Sequence, residues 1–392
     1  MIDRSQPVYR IKIEGVDLEK FGYNFIVESV MTEEHDTLAD ISKVVIVNKD
    51  LKFTNDLMFL EKSKMEIFLG YPEELEYKGC FYLDEPKFVF PEQGTPKIIL
   101  SGKGEEISLA YSEKRRVFRN ITDSELAEKI AKEYGLKTDI EPTKKRYDQI
   151  SQMNESDIAL LHRRAGLHGF LVYVENGTLH FHPVRNEDSG IKLTYGGEQS
   201  SLLSFEVKEQ LFLRALEVIS TCRDKFKKTV VDVSSENEPD EFTKAQSDRD
   251  VRRSYEIAKS KQEQAKGYLL NSGHLMDAEE LEEQTKSAGM VSQWFIEAEA
   301  KSIGLPKIKA KRIIEFDGLK NFSGKYYVKM ARHMIRNGYT VLMDVGSTVT
   351  GNLRQGEPLS PVYSSSAGTR FPDREKDNQI KKSKILSVAE II

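Results

Sequence analysis

Only two cysteines, Cys80 and Cys222, occur in 392 residues. They lie too far apart in sequence for a disulfide framework or for the ligand spacing of a zinc site, so both read as separate buried thiols. Long apolar runs are missing as well. Nowhere does the chain approach the roughly 20 apolar residues that span a bilayer, and MIDRSQPVYRIKIEG at the N-terminus lacks the apolar core of a signal peptide. The expectation is synthesis completed in the cytoplasm, with no membrane insertion. An excess of positive charge is absent too: 58 Lys and Arg face 63 Asp and Glu, for a net charge of −5. A dedicated nucleic-acid binder needs a basic surface to displace counterions from phosphates, so no sequence-specific nucleic-acid binding is expected. The basic clusters at Lys144-Lys145-Arg146, Lys225 to Lys228 and Lys307 to Arg312 all have acidic residues close by and read as solvated faces or subunit contacts.

With 39% hydrophobic and 31% charged residues, the composition is that of a globular protein, and the length allows two to four domains. Residues 7 to 118 read as β. Alternation runs through VYRIKIEG, ISKVVIVN and KIILSGKG, and Gly70-Tyr71-Pro72, Phe90-Pro91 and Gly94-Thr95-Pro96 supply turns between runs. Short strands at this spacing suggest a small barrel or sandwich.

The pattern changes at residue 119. Thr122 with Glu125 forms a capping-box signature that predicts a helix ending at Gly135, and Met153-Asn154-Glu155-Ser156-Asp157-Ile158 predicts a second. There Asn154 is the expected cap, Asp157 faces the positive helix end, Met153 packs against Ile158, and the stop falls near Gly166. Phe170 to Val174 and Thr178 to His182 flank Asn176-Gly177, a strong hairpin signal. Residues 119–186 therefore read as a helix, helix, hairpin module.

Strands resume from 187 in LLSFEV, ALEVIST and KTVVDVS, and later in KIKAKRIIEF, GKYYVKMARHMI and YTVLMDVG. Between them, about 236–303, the chain is charged and reads as a helical insertion closing with VSQWFIEAEAKSIGL. Residues 349–392 read as a linker and arm whose apolar ILSVAEII is suited to docking on a neighbour. The fold class expected is mainly β, α+β overall, with domains at 1–118, 119–186 and 187–348 before that arm.

Candidate chemistry is sparse. His162 and His168 have no nucleophile and orienting carboxylate in any recognisable pattern, so both read as structural or surface residues. His180 and His182 are alternate residues of one strand and face the same way, which suits a shared metal ion, but no third ligand stands nearby in sequence. They read as a solvent face. Gly102-Lys103-Gly104 lacks the glycine spacing and the Ser/Thr of a phosphate loop. No catalytic, cofactor-binding or metal-binding residue is assigned, and no cofactor is expected.

The order of parts, with particular residues, resembles the phage late-control D family. These are central baseplate hub proteins of contractile tails, related to the T-even hub and to the N-terminal part of type VI secretion spike proteins. Gln152 to Asp157, Leu160-Leu161, Arg163, Ala165, Gly169-Phe170 and Asn176 to Phe181 are similar to the family's Q-x-N-E-S-D segment and hairpin. Ser323 to Val328, His333 and Gly338-Tyr339-Thr340 are similar to its G-x-Y-x-V, H and G-Y positions, and Leu69-Gly70 with Gly79-Cys80-Phe81 fits the strand pair closing a first barrel.

The resemblance implies two tail-tube-like barrels flanking the module and a structural, non-enzymatic role in a phage, a tailocin or a contractile injection system. It further implies a homotrimer with pseudo-sixfold symmetry between a hexameric tail tube and a trimeric spike protein. Tape-measure and baseplate wedge proteins are further partners, and the place of action is the baseplate after assembly in the bacterial cytoplasm. The alternative is a tail-associated cell-wall hydrolase or peptidoglycan-binding protein, a reading that lacks a catalytic constellation.

Overall fold

The computed structural model describes residues 6–18, 26–51, 53–54, 59–185, 187–197, 200–209, 217–224, 230–236, 268–276 and 296–347. The expected arm at 349–392 lies outside the described residues, as does much of the expected helical insertion. The described structure is mainly β and divides into two compact units.

The larger unit begins with strands β1 (Val8–Ile13), β2 (Val16–Asp17), β3 (Ile26–His35), β4 (Ile41–Val47), β5 (Lys64–Tyr71), β6 (Glu74–Val89) and β7 (Lys97–Gly104). They pair antiparallel in the order β3-β4-β7-β6-β5-β1-β2. Their inner faces follow the sequence alternation. Ser42, Val44 and Ile46 are buried on β4 while Ile41 and Lys43 are exposed, and Ile98 and Leu100 are buried on β7. Each fully buried Ile or Leu contributes about 1.5–3 kcal/mol, so a one-residue register slip would invert the whole face.

After the single helical turn α1 (Ile107–Ala110) come β8 (Lys114–Thr122), α2 (Asp123–Glu133), β9 (Lys137–Ile140), β10 (Arg146–Glu155), α3 (Asp157–Gly166), β11 (Phe170–Glu175) and β12 (Thr178–Pro183). The capping box forms as read: Thr122 Oγ1 accepts from Glu125 N, and Thr122 N donates to the Glu125 carboxylate. Gly135, at φ 67°, ends α2 in a Schellman turn, with Leu136 N donating to Ala131 O at 2.9 Å. Asn176 and Gly177, at φ 51° and 70°, make the hairpin turn between β11 and β12. Two pairings go beyond the helix, helix, hairpin reading. β8 and β10 form an antiparallel ribbon, and β9 adds to β12 in parallel.

The second helix corrects its expected start. Ala159 N donates to Ser156 Oγ at 3.3 Å and Leu160 N to Ser156 O at 3.0 Å, so Ser156 is the cap. Asn154 sits instead at φ 54°, where the β8–β10 register shifts between Met153 and Glu155. It serves a β-bulge, because Asn tolerates the left-handed region that most side chains avoid. Met153 is exposed and forms no staple.

Strands β13 (Asp188–Thr194) and β14 (Leu202–Glu209) follow. Next, β15 (Glu217–Asp224), β16 (Val230–Glu236) and β17 (Tyr268–Met276) form a sheet of their own, which belongs to the smaller unit. β15 pairs antiparallel with β16 and parallel with β17.

The chain returns to the larger unit with β18 (Ile296–Ile303), β19 (Ile313–Asp317), β20 (Gly324–Ile335) and β21 (Tyr339–Ser347). Ile296–Ile303 is therefore extended where a helical face was expected. Ile296, Ala298, Ala300 and Ser302 are all buried, with Glu299 and Lys301 exposed, a period of two that a strand satisfies and a helix does not. Tyr268–Met276 is likewise a strand inside the expected helical insertion.

The order β14-β18-β21-β20-β19-β13 is closed by a bridge between Tyr195 and Leu202, making a six-membered ring of strands. This ring joins the first array through β3 and β20, which pair antiparallel from Met330↔His35 to Ile335↔Val30. Among the described residues the result is one 13-stranded sheet running through both halves of the unit.

Candidate functional site

The stretch that carries the family-like motif forms a polar knot in the module. Asp157 opens α3 with its side chain fully buried. Its carboxylate accepts from Lys114 Nζ at 2.5 Å, Arg116 Nη2 at 2.6 Å, Gln152 Nε2 at 2.9 Å and Tyr134 OH at 2.7 Å. Arg116 also grips both oxygens of Glu133. Burial pushes the Asp157 carboxyl up, yet the hydrogen bonds from Lys114, Gln152 and Tyr134 and the charge of Arg116 outweigh it and hold it below the ordinary carboxylate range.

On the other side of the module Arg164 makes a two-pronged pair with the buried Asp123, at 2.6 and 2.9 Å, and lies 4.2 Å over the Tyr147 ring. These pairs tie α2, α3, β8 and β10 together. A carboxylate already holding four donors is a poor general base. His162 is half-buried, and burial lowers its pKa. His168 lies 5.3 Å from the Phe170 ring.

The two halves of the sheet are pinned from inside as well as by strand pairing. Lys78 of β6 is buried, with Nζ donating to Pro306 O and to Ile308 O at 3.2 Å and lying 3.0 Å from His333 Nε2. The other nitrogen of the fully buried His333 is 2.8 Å from Tyr339 OH, and Tyr71 OH donates to Gly304 O at 3.0 Å. Burial lowers Lys78 to about 8, with Glu34 pulling the other way, and it drives His333 well below its ordinary value, so the imidazole is neutral. His333 is one of the residues carrying the family resemblance. Here it is buried in the seam between Lys78 and Tyr339.

Beside the seam lies a cavity of about 40 Å³ lined by Glu34, Asp40, Glu105, Glu175, Lys78 and Lys311, among others. That volume suits one or two waters, far below the hundreds of cubic ångströms of a small-molecule site. Its groups are engaged: Ala310 N donates to Glu34, His35 N to Asp40 Oδ1, and Gly177 N to Glu105. Burial raises the carboxyls of Glu34, Asp40 and Glu105. Gly102-Lys103-Gly104 lies within β7 rather than in a loop, and Lys103 Nζ pairs with Asp84 at 2.7 Å.

His180 and His182 acquire a neighbour that local sequence did not reveal. Parallel pairing of β9 with β12 sets Asp139 opposite His180. Asp139 Oδ2 lies 3.1 Å from His180 Nδ1 and 3.8 Å from His182 Nε2, and the three atoms are within 4.8 Å of one another. Arg185 forks across both oxygens of Asp139 at 2.7 and 2.8 Å. That pairing is the main reason the Asp139 carboxyl is held at about 2; burial opposes it, and His180 and His182 add to it.

Among solved structures, the fold is shared with proteins of phage tails. The 43 kDa tail protein of prophage MuSo2 from Shewanella oneidensis is 13% identical, with a TM-score of 0.64 over 87% of this chain and 98% of that one. The tail protein from Neisseria meningitidis MC58 is 11% identical, with a TM-score of 0.63 and coverages of 87% and 96%. The E. coli c3393 protein is described as a component of the type VI secretion system with structural similarity to the T4 bacteriophage tail proteins gp27 and gp5. It is 9% identical, with a TM-score of 0.51 over 91% of this chain and 80% of that one. At such identities the likeness is one of fold, and the class it defines is that of the phage-tail-protein fold. Comparison with curated proteins finds no match. The chain belongs to the family described as the Alg8 N-terminal domain, which matches residues 11–337.

Proposed function

We propose that this protein is the structural baseplate hub of a contractile tail or a related injection apparatus, acting as a homotrimer between a hexameric tail tube and a trimeric spike. The observation that carries the reading is the 13-stranded sheet, in which an array built from residues 8–104 joins one built from residues 188–347 through β3 and β20. A chain contributing two strand arrays gives a trimer six of them. Rings match only partners that share their rotational order, so such a trimer can meet sixfold symmetry on one side and threefold on the other. Fold likeness to phage tail proteins and to a type VI secretion component supports the placement.

A non-enzymatic role is part of the proposal. Asp157 and His333 are engaged in scaffold contacts, and the cavity beside the seam is too small for a substrate. No helix among the described residues is long and apolar enough to cross a membrane. The remaining partners, tube subunits with tape-measure and wedge proteins, are what the resemblance to baseplate hub proteins implies. Light scattering should give three times the 44.8 kDa chain mass for the purified chain, and that mass plus the spike's when the spike is bound. A monomer under both conditions, or measurable degradation of purified cell wall, would overturn the proposal.

A further inference from the structure

Asp139, His180 and His182 are left without a part in the hub, although their arrangement is specific. A zinc ion bound tetrahedrally at about 2.0–2.2 Å from each ligand atom places those atoms about 3.3 Å apart. Asp139 Oδ2 is 3.1 Å from His180 Nδ1 and 3.8 Å from His182 Nε2, and all three atoms lie within 4.8 Å of one another, so drawing the imidazoles inward completes a three-ligand face.

The surroundings match such a site. His182 Nδ1 lies 2.7 Å from Pro183 O, which fixes that nitrogen as the N–H and leaves Nε2 as the lone pair, 3.8 Å from Asp139 Oδ2 and 3.4 Å from the Tyr173 hydroxyl that a bound ion would displace. Metal-bound histidines are oriented in the same way, by donation from the second nitrogen to a carbonyl. His182 is 3% exposed, and the Tyr173 ring stacks on His180 at 4.4 Å, so both imidazoles are packed at the site rather than spread into solvent. Arg185 forks onto both oxygens of Asp139, the carboxylate that the ion would need. Its side chain is 41% exposed and free to swing outward.

We propose that Asp139, His180 and His182 bind one divalent transition-metal ion of the zinc type, that Arg185 is displaced from Asp139 on binding, and that the ion leaves one coordination position open to water. The donor set is two imidazoles and a carboxylate, which suits zinc and disfavours calcium or magnesium. The bound ion crosslinks β9 to β12. β9 is four residues long and hydrogen-bonded in parallel to β12, so this staple stabilises the segment between α2 and β10. The proposal does not depend on the hub reading.

The test is titration of the full chain with zinc chloride by calorimetry, and with cobalt chloride by visible absorbance, where near-tetrahedral cobalt shows d–d bands. One ion per chain is expected, together with a zinc-dependent rise in melting temperature. Asp139→Asn and His182→Ala should each weaken binding at least tenfold, whereas Arg185→Ala should tighten it. That opposite direction separates ligand loss from misfolding. Zinc affinity unchanged by Asp139→Asn and His182→Ala together, or no binding by either the wild-type chain or Arg185→Ala, would overturn the assignment.

Discussion

Replacing Asp157 with Asn tests whether the family-like segment is scaffold. The substitution keeps the size of the side chain but removes the charge and presents an NH₂ group to donors. Lys114 and Tyr134 converge on Oδ2, and Arg116 and Gln152 on Oδ1, so whichever way the amide turns, its nitrogen meets a donor. Breaking a buried ion pair from one side costs about 3–5 kcal/mol. Here the cations are not fully enclosed, since the Lys114 and Arg116 side chains are 29% and 25% exposed and Arg116 keeps Glu133. The expected loss is therefore at or below the bottom of that range, about 2–3 kcal/mol, or a fall in melting temperature of about 5–10 °C for a unit of this size.

The pH dependence gives an independent check. The folded-state pKa of Asp157 lies below its unfolded value, so its contribution is complete above the unfolded pKa and is lost as pH falls through the folded one. The gap between wild type and Asp157→Asn should thus be full at neutral pH and close progressively below about pH 4. Asp84→Asn, at an exposed pair with Lys103, serves as a control expected to change stability by less than about 1 kcal/mol. Calorimetric melts of the three proteins from pH 3 to 8 measure both effects. If Asp157→Asn behaved like the control, or its deficit were the same at every pH, the scaffold reasoning would be wrong.

Lys78→Met should narrow the stability change between pH 8 and 10.5. The folded lysine titrates near 8, so its charge opposes folding below that pH, and the penalty is relieved as pH rises toward the unfolded value; denaturant titrations of both proteins at three pH values check this. Ser156→Ala should cost about 1 kcal/mol as a lost helix cap, whereas Asn154→Gly should be neutral and Asn154→Ala should cost about 1 kcal/mol because of its positive φ. Equal costs for Asn154→Gly and Ser156→Ala would return the cap to Asn154. Gly304→Ala would place a methyl 2.2 Å from Tyr339 Cγ, so the seam must open; a loss of about 3 kcal/mol or more is expected by thermal melting, and a neutral outcome would refute the packing described there.

Much of this architecture was legible from residues close in sequence. The Thr122–Glu125 box, the Gly135 stop and the Asn176-Gly177 turn each act over three to five residues, and each forms as read. Strand alternation in β1, β4, β7, β20 and β21 was likewise readable, because one buried face repeats every second residue. Where two periods competed, the reading failed. Ile296–Ile303 carries buried small residues between charges, and Trp294-Phe295 just before it drew the segment toward a helical face. Asn154 failed for another reason. A polar residue ahead of an acidic helix start is the usual sign of a cap, yet a bulge in β10 claimed it and passed the cap to Ser156.

The sequence alone determined the local elements and the membership of the chain among mainly β proteins, since those follow from capping, turn chemistry and periodic burial. Tertiary structure decided which elements meet. It placed β20 against β3, Lys78 against His333, and Asp139 beside His180, partners 41 to about 300 residues apart. Such pairings depend on closing long loops and on burying shared faces, and no short-range pattern encodes them.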